Sequence, residues 1–372
     1  MAESDAPKKK RMFSDFSRDS VTLPNGAKMS VPGRLEFTAS SLDPAMLSAI
    51  RRSIMSFVHT MAFRFDSVSP DKQDVKIAIN TGNLHNEFIG ERIGLIPFCL
   101  SRSQTIDIDP KKWRFELLVE NKTTTPLDVT SKDLVPVYVG EDDPPVTPSF
   151  FKPDPISKDH CLITVLMPGQ KLSLSATPTL GTGDEHCRFS PVAACCFTPV
   201  TDPIKAKAER EKAEDKGTFD ALQAPRIYET DAAGLPVAHR FQLESQCGMK
   251  PEDIVTAGVE ALASRLRSAS TRKDSVKDAK EQALSGGDVK SFAISGEDHT
   301  VGALLQNAML EDYEFAGYFT PHILEKEIVL RVKRSEANKP LPEAGDIRDY
   351  LDKIAIDCEN ILDQWKTDVS RN

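Results

Sequence analysis

The chain has 372 residues, and its 47 Lys and Arg against 56 Asp and Glu give a formal net charge of −9. This charge excludes a stand-alone nucleic-acid coat, because a protein that wraps phosphate needs a net positive face. Hydrophobic residues make up 40% of the chain, which is enough for packed cores. No apolar run approaches the roughly 20 residues of a membrane-spanning helix, and the length predicts two or three domains of roughly 100–200 residues each.

The first 30 residues are polar and basic, and they predict a flexible tail. Within this tail, residues 7–11 read PKKKR and match a short nuclear-import signal. A solvated basic tail produces the same pattern, so both interpretations stay open.

Residues 31–100 predict the first α+β unit. Alternation of apolar and polar residues over 34–40 predicts a half-buried strand. Asp43 then supplies an N-cap before Pro44, and apolar residues at steps of three and four continue the helix to Val58. Two further strands and a short helix are expected at residues 61–68, 75–79 and 84–93.

The segment 101–237 predicts a β-rich insert with long loops and a charged connector. Helical periodicity disappears here and proline becomes frequent. Short alternating runs predict strands at residues 113–120, 162–166 and 171–176. Nine of the twelve residues in 205–216 are charged, as expected for a solvated helix or linker.

Residues 238–270 complete the first unit, with a strand at 240–244 and a helix at 251–267. One face of this helix is apolar and consists of Val255, Val259, Leu262 and Leu266. The segment that follows is polar and contains Ser-Gly-Gly, which predicts a linker over residues 271–290.

Residues 291–372 predict a second α+β unit. Its strand, capped helix and two further strands are expected at 291–294, 297–310, 313–319 and 327–333. A final helix, 346–365, carries about five turns of one apolar stripe. A stripe of this length needs a substantial partner surface.

The start of the second unit repeats the start of the first. A shift of 255 residues places Phe37 on Phe292, Asp43 on Asp298 and Ile50 on Leu305 without a gap. Any strand–helix–strand unit would match to a similar degree, so the alignment alone leaves the repeat open. Both units also end in a long amphipathic helix, which favours an internal pseudo-dimer.

Three segments carry a family resemblance. LSAIRRSIMSFVHTMAFRF (47–65) with NEFIGERIGLIPF (86–98) resembles the dimerisation domain of the third-largest subunit of RNA polymerase II, which has an archaeal counterpart and is a relative of the bacterial alpha amino-terminal domain. GTGDEHCRFSPVAAC (181–195) resembles a loop in the insert of the same protein. EDHTVGALLQNAMLEDYEFAGYFTPHIL (297–324) resembles its small partner, which also has an archaeal counterpart. The motif positions in this last segment are Glu297, Asp298, His299, Thr300, Gly317, Tyr318, Pro321 and His322.

This resemblance implies a fold and a function. The fold would be α+β, with two alpha-amino-terminal-domain-like units forming an internal pseudo-heterodimer, plus the β-rich insert. The function would be that of a non-catalytic assembly platform of a multisubunit DNA-directed RNA polymerase. A free-standing dimerising adaptor outside the polymerase is the alternative.

The same resemblance implies partners and a location. The partners would be the two largest polymerase subunits and a small subunit bound near the platform, with DNA and RNA reached only through the complex, and no membrane. Catalytic magnesium would belong to the largest subunit, and this chain would hold no cofactor. Fusion of the two subunits resembles large cytoplasmic DNA viruses of eukaryotes, which predicts the host cytoplasm or the virion. Residues 7–11 keep the nucleus as an alternative.

The resemblance also assigns two sets of interface residues. The residues expected to contact a large subunit are Arg51, Arg52, Glu91, Arg92, Glu185, His186, Ser190 and Pro191. From the residues alone, Glu91 and Arg92 could instead pair locally, in a surface ion pair worth only about 0–1 kcal/mol; the resemblance favours packing of the helix that supports the assembly face. The residues expected to form the internal dimer interface are Val255, Val259, Leu262, Leu266, Leu304, Leu305, Tyr350, Leu351, Ile354, Cys358, Ile361 and Trp365.

Cysteine and histidine residues raise two chemical alternatives. The seven cysteines form no Cys-x-x-Cys pair, which argues for a reducing compartment and against a zinc ribbon or a disulfide scaffold. The family often carries a cysteine cluster after the position of Leu100, and it is missing here, so we expect no metal site. A thiol enzyme using Cys195 or Cys196 lacks an obvious base. A metal bound by His299 and His322 would need further ligands.

Overall fold

The structure, a computed structural model, describes residues 11–22, 26–66, 73–143, 145–272, 274–279, 289–334 and 340–371. Its first elements in chain order are β1 (Phe13–Thr22), β2 (Lys28–Ser40), α1 (Pro44–Phe57), β3 (His59–Ala62), β4 (Val75–Asn80) and α2 (Asn86–Gly94). Within the described residues, no helix is both long and apolar enough to span a membrane.

The middle of the chain is rich in short strands, as the sequence predicts. Its elements are α3 (Arg102–Asp107), β5 (Trp113–Glu120), β6 (Leu127–Thr130), β7 (Val135–Tyr138), β8 (Leu162–Leu166), β9 (Lys171–Ala176), β10 (Thr179–Thr182), β11 (Val192–Pro199), α4 (Pro203–Lys212) and α5 (Lys216–Leu222). Two sheets, in the orders β4-β9-β5-β7 and β6-β8, form its body, and β10 pairs with β3.

The chain then returns to the first unit and continues into the second. The elements are β12 (Ala238–Ser245), α6 (Pro251–Thr271), β13 (Val276–Asp278), β14 (Val289–Ser295), α7 (His299–Leu310), β15 (Phe315–Phe319), β16 (Glu327–Lys333) and α8 (Ala344–Ser370). Each unit has one four-stranded antiparallel sheet, ordered β1-β2-β12-β11 in the first and β13-β14-β16-β15 in the second. The fold is therefore α+β with two similar units.

The repeat found in the sequence has a structural counterpart in the same register. Strand β2 ends at Ser40 and β14 ends at Ser295, which are 255 residues apart. Asp43 and Asp298 both act as N-caps, accepting hydrogen bonds from the backbone N–H groups of Ala45 (2.6 Å) and Thr300 (2.8 Å). Because strand end, cap and helix coincide at one shift, α1 and α7 occupy equivalent positions in the two units.

A single hydrophobic core joins the two units through helices α6 and α8. Eleven of the twelve residues predicted for the internal interface are buried in it, and Tyr350 is half-buried. Helix α1 closes against α6 at Gly258, where a Cβ would lie 2.4 Å from the Ile54 side chain. The Ser53 hydroxyl donates to the Gly258 carbonyl at 2.8 Å, so the backbones meet without a side chain between them.

The insert is built around a second hydrophobic core. Residues of this core already occur before residue 101, the predicted start of the insert. Phe63, Phe65, Ile89 and Ile93 are buried together with insert residues such as Phe115. Strands β3 and β4 also pair with β10 and β9 of the insert. Packing therefore places most of residues 59–100 with the insert, because their apolar side chains are covered by its sheets.

The predicted flexible tail is wrong for residues 13–22. These residues form β1, which pairs antiparallel with β2. Phe13 is buried against Phe37 and Trp365, with ring centroids 5.7 and 5.1 Å apart, and its N–H donates to Asp368 at 3.1 Å. Strict alternation is absent here because Phe13 and Phe16 are three residues apart and the pairing register shifts between Ser14 and Ser17. Residues 1–10, with most of the basic run, lie outside the described residues.

The predicted linker is shorter than expected. Helix α6 continues to Thr271, and residues 276–278 form β13, which pairs with β14. Residues 273 and 280–288 lie outside the described part of the chain.

Replacing Trp365 by Ala should loosen the contact between the units. Trp365 is 1% exposed and touches Phe13, Phe16 and Phe37, so the change should lower the free energy of unfolding by about 3–5 kcal/mol. Denaturant unfolding measures this loss, and limited proteolysis should cut α8 first. Trp113→Ala is the matched control, because Trp113 is similarly buried in the insert core. Equal protection of α8 in both variants would contradict the assignment.

Candidate subunit interface

Helix α1, helix α2 and the loop over residues 181–194 meet on one side of the first unit. Arg188 of this loop, whose side chain is 3% exposed, joins them. Its guanidinium donates to the carbonyls of Phe63 and Phe65, both at 3.0 Å, and to the Glu91 carboxylate at 3.1 Å. Glu91 thus pairs with Arg188 and not with its neighbour Arg92, which was the local alternative. Glu91 pairs with an arginine of the loop because the loop lies directly on α2.

Glycines allow this close approach. At Gly183 a Cβ would lie 1.9 Å from the backbone oxygen of Met55, and at Gly94 it would lie 2.2 Å from the Arg188 guanidinium. The N–H of Asp184 donates to the Ser56 carbonyl at 3.0 Å. Side chains at either glycine would push the loop away from the helices, so the geometry needs glycine at both positions.

Most of the predicted interface residues in this loop also hold the loop together. Glu185 pairs with Arg64 (Nη2 to Oε2, 2.6 Å), and His186 Nδ1 accepts from the Arg188 N–H at 3.2 Å. Ser190 donates to the Val192 carbonyl at 3.0 Å. The predicted residue Pro191 is buried, and its carbonyl accepts from the Gln246 N–H at 3.0 Å. Glu185 and His186 remain exposed, so their outer surfaces are free for contact.

Three arginines on this side have no acidic partner among the described residues, since no carboxylate there lies within ion-pair distance of them. Arg52 and Arg92 are exposed, and Arg51 is half-buried with a nitrogen 3.3 Å from the Met55 sulfur. Met55 (38% exposed) and Leu95 (54% exposed) line a groove together with Pro97 and Arg188, and the three arginines lie outside this lining. Exposed apolar side chains and arginines without an acidic partner are each typical of a protein–protein contact surface.

A second cluster fastens the two units to each other. Glu297 is 2% exposed and accepts hydrogen bonds from Arg265 (2.9 Å) and Arg272 (3.0 Å). Arg265 lies on α6 of the first unit, and Arg272 directly follows that helix. Arg265 also lies 3.3 Å from Asp298 and 4.7 Å from the centre of the Phe57 ring. Burial raises the pKa of Glu297, and the charge of Arg265 opposes this rise. The Glu-Asp motif therefore does more than cap α7.

Other motif residues shape the second unit locally. A Cβ at Gly302 would lie 2.5 Å from the Tyr318 ring, and the His299 ring meets Tyr318 edge-on at 5.7 Å. His322 Nδ1 accepts from the Leu324 N–H at 3.2 Å. Three further motif residues differ in burial: Thr300 is buried, Gly317 is half-buried and Pro321 is exposed. Over the described ranges, no group of three or more His, Cys, Asp or Glu is arranged to hold a metal ion.

The thiol-enzyme alternative is contradicted at Cys195. This residue lies on β11 and is 9% exposed, and burial raises the pKa of its thiol to about 12. A nucleophilic cysteine needs a thiolate near neutral pH. The neighbouring Cys196 sulfur is instead contacted by the amide of Gln242 at 2.7 Å.

Sequence reasoning missed Arg188 and Arg265, two arginines whose contacts bridge distant segments. Arg188 lies within the segment 181–195 that resembles the family, and Arg265 lies on α6, outside the resembling segments. Their partners are 97 and 32 residues away, so spacing along the chain gave no signal.

Gly183→Ala should displace the 181–194 loop without unfolding the units. The added methyl would clash with the Met55 carbonyl, so amide hydrogen exchange in residues 181–191 should become faster. Gly217→Ala is the control, since its nearest neighbour would be 3.4 Å away. Unchanged exchange in the loop would mean that this contact does not hold it.

Comparison with known proteins places these features in a family. Residues 290–367 match the family described as the RNA polymerase Rpb3/Rpb11 dimerisation domain. The chain is 30% identical to the RNA polymerase II subunit rpb3 of Dictyostelium discoideum over 278 residues, 62% of this chain and 88% of that protein. It is also 49% identical to a probable RNA polymerase II subunit RPB11 of Caenorhabditis briggsae over 51 residues. This match covers 13% of this chain and 42% of that protein.

A plant relative extends the comparison. The chain is 30% identical over 207 residues to subunit 3 of RNA polymerases II, IV and V of Arabidopsis thaliana, 51% of this chain and 60% of that protein. It therefore spans less than two thirds of this relative. With 88% of the Dictyostelium protein covered at 30% identity, the chain belongs to the Rpb3 family of RNA polymerase subunits.

Proposed function

We propose that the chain is a non-catalytic assembly platform of a multisubunit DNA-directed RNA polymerase. The observation that carries this proposal is the packing of α8 on α6. Most of helix α8 belongs to the segment that matches the Rpb3/Rpb11 dimerisation domain, and α6 belongs to the part outside that match. One chain thus contains both sides of a dimerisation interface. Large apolar interfaces of this kind are typical of obligate complexes.

In this proposal the chain combines the third subunit and its small partner. The similarity to both rpb3 and RPB11 relatives supports the combination. Joining two subunits makes their association intramolecular, at an effective concentration of about millimolar for a short flexible tether. The connection runs from the end of α6 at Thr271 through β13 to the start of β14 at Val289, and it keeps the two units on one chain.

The surface around Arg51, Arg52 and Arg92 is the proposed contact for a large subunit. The 181–194 loop contacts α1 through the Asp184 N–H and α2 through Arg188, and its Glu185 and His186 are exposed. The proposed partners are the two largest subunits and a small subunit bound near the platform, with nucleic acid reached through them. Catalytic magnesium is placed on the largest subunit, and no cofactor on this chain.

The cellular setting is also a proposal. A fused arrangement resembles large cytoplasmic DNA viruses, which favours the host cytoplasm, a viral factory or the virion. Nuclear location is the alternative, and it depends on residues 7–11.

Affinity purification of the tagged full chain from its native or infected cells tests the function. Two large polypeptides should be recovered with it, and mass spectrometry should identify both as RNA polymerase subunits. Recovery of the chain by itself would contradict the proposal and favour the free-standing adaptor.

The variant Arg51→Glu, Arg52→Glu should prevent recruitment while the chain stays folded. Losing a close interfacial charge pair costs about 2–5 kcal/mol, so binding of a large subunit should weaken by about 30-fold or more. Quantitative pull-down measures binding, and circular dichroism checks the fold. Lys205→Glu, Lys207→Glu on α4 is the control, because it makes the same charge change at a distant helix. Equal binding by both variants would refute the interface.

A further inference from the structure

Three of the seven cysteines line one cavity where the first unit meets the insert. Cys99 follows α2, Cys161 directly precedes β8, and Cys247 lies in the turn between β12 and α6. The cavity has a volume of about 740 Å³. Cys99 and Cys247 are half-buried, Cys161 is exposed, and all three are free thiols. The proposed polymerase function makes no use of them.

Cys99 and Cys247 lie on neighbouring stretches of backbone. A Cβ at Gly248 would lie 2.3 Å from the carbonyl carbon of Cys99 and 2.5 Å from the nitrogen of Leu100. The turn that carries Cys247 therefore approaches Cys99 this closely only because Gly248 has no side chain. A disulfide requires a close approach of this kind, because the two Cα atoms that it joins lie within about 7 Å of each other.

The contacts of the Cys247 sulfur are weak. It lies 3.6 Å from the carbonyl oxygen of Pro191 and 3.9 Å from the hydroxyl of Ser245. Thiols form weak hydrogen bonds, so turning this side chain toward Cys99 costs little. Burial raises the pKa of the Cys247 thiol, hydrogen bonds at Met249 and Ser245 oppose this rise, and the nearby Cys99 adds to it. The two thiols are thus electrostatic neighbours.

We propose that Cys99 and Cys247 form a reversible disulfide when the chain meets a hydroperoxide, and that this bond fastens the insert to the first unit. The chain leaves for the body of the insert after Cys99 and returns before Cys247, so the bond closes a loop around that body. In a reducing compartment both residues stay thiols, so the bond is a response to oxidant. It needs no other subunit and does not depend on the proposed polymerase function.

The bond forms in two steps that balance. Hydrogen peroxide transfers one oxygen atom to the Cys99 sulfur, which gives a sulfenic acid and one water molecule. The Cys247 sulfur then attacks the Cys99 sulfur, and the Cys247 proton leaves with the hydroxyl group as a second water molecule. Each sulfur loses one electron, and the O–O bond of the peroxide accepts both. Burial keeps Cys247 protonated near neutral pH, so the first step belongs to Cys99.

Peptide mapping of the reduced full chain after treatment with hydrogen peroxide tests the bond. The remaining thiols are alkylated, and the chain is digested with trypsin without reductant. The three cysteines fall in different tryptic peptides, 93–102, 159–171 and 241–265, so mass spectrometry distinguishes their pairings. The linked pair of 93–102 with 241–265 should increase by about tenfold or more over the untreated chain, and dithiothreitol should remove it.

Two serine variants separate the reacting pair from the exposed thiol beside it. Cys247→Ser should abolish the linked pair, whereas Cys161→Ser should leave it unchanged. Each protein is also compared with itself before and after peroxide, so a variant's own loss of stability does not enter. Peroxide should raise the melting temperature of the unchanged chain and of Cys161→Ser by about 5 °C or more, because closing a long loop restricts the unfolded chain. Cys247→Ser should show no rise.

Three results would overturn the proposal. A bond between Cys99 and Cys161 would show that the exposed thiol is the partner. Dimers of the chain on a non-reducing gel, without the internal link, would show that the reacting thiols belong to different molecules. Oxidation of Cys99 to a sulfinic acid without any linked peptide would show that Cys247 does not reach it.

Discussion

The packing of α6 against α8 is the contact on which the rest of the structure depends. Each helix has an apolar stripe too long to be covered by its own sheet, so each unit is incomplete without the other. Leu262 and Leu266 from one unit and Leu351 and Cys358 from the other are almost fully buried in the shared core. Separating the units would expose these side chains to water, which is why the two halves behave as one folded body.

This core fixes where the outer helices can lie. Helix α1 rests on α6 at Gly258, and its cap meets Asn307 of α7. The inward faces of α1 and α7 are thereby used, and their outward faces carry Met55 and Leu310. The proposed recruitment surface is thus a consequence of dimer-like packing.

Local patterns in the sequence predict the elements well where one face is apolar. The strand 327–333, the cap at Asp298 and the stripe of α8 all follow from periodicity, because burial on one side determines those residues. Strand β1 could not be predicted from periodicity, since its aromatic side chains are buried against Trp365, which lies at the far end of the chain. For the same reason the contacts of Arg188 could not be foreseen: a buried charge depends on partners brought by the fold.

Four arginines illustrate how burial separates structural from functional charge. Arg188 and Arg265 are largely covered, and each donates to carboxylates or carbonyls from distant segments. Replacing either arginine would leave its buried hydrogen-bond partners unpaired, so these two side chains hold the segments they join in place. Arg51 and Arg52 lie on a helix packed against α6, and no carboxylate of the described residues lies within ion-pair distance of them, in keeping with the proposed contact with another molecule. A rigid support behind unpaired cations lowers the ordering cost of binding, which favours α1 as the contact for a partner.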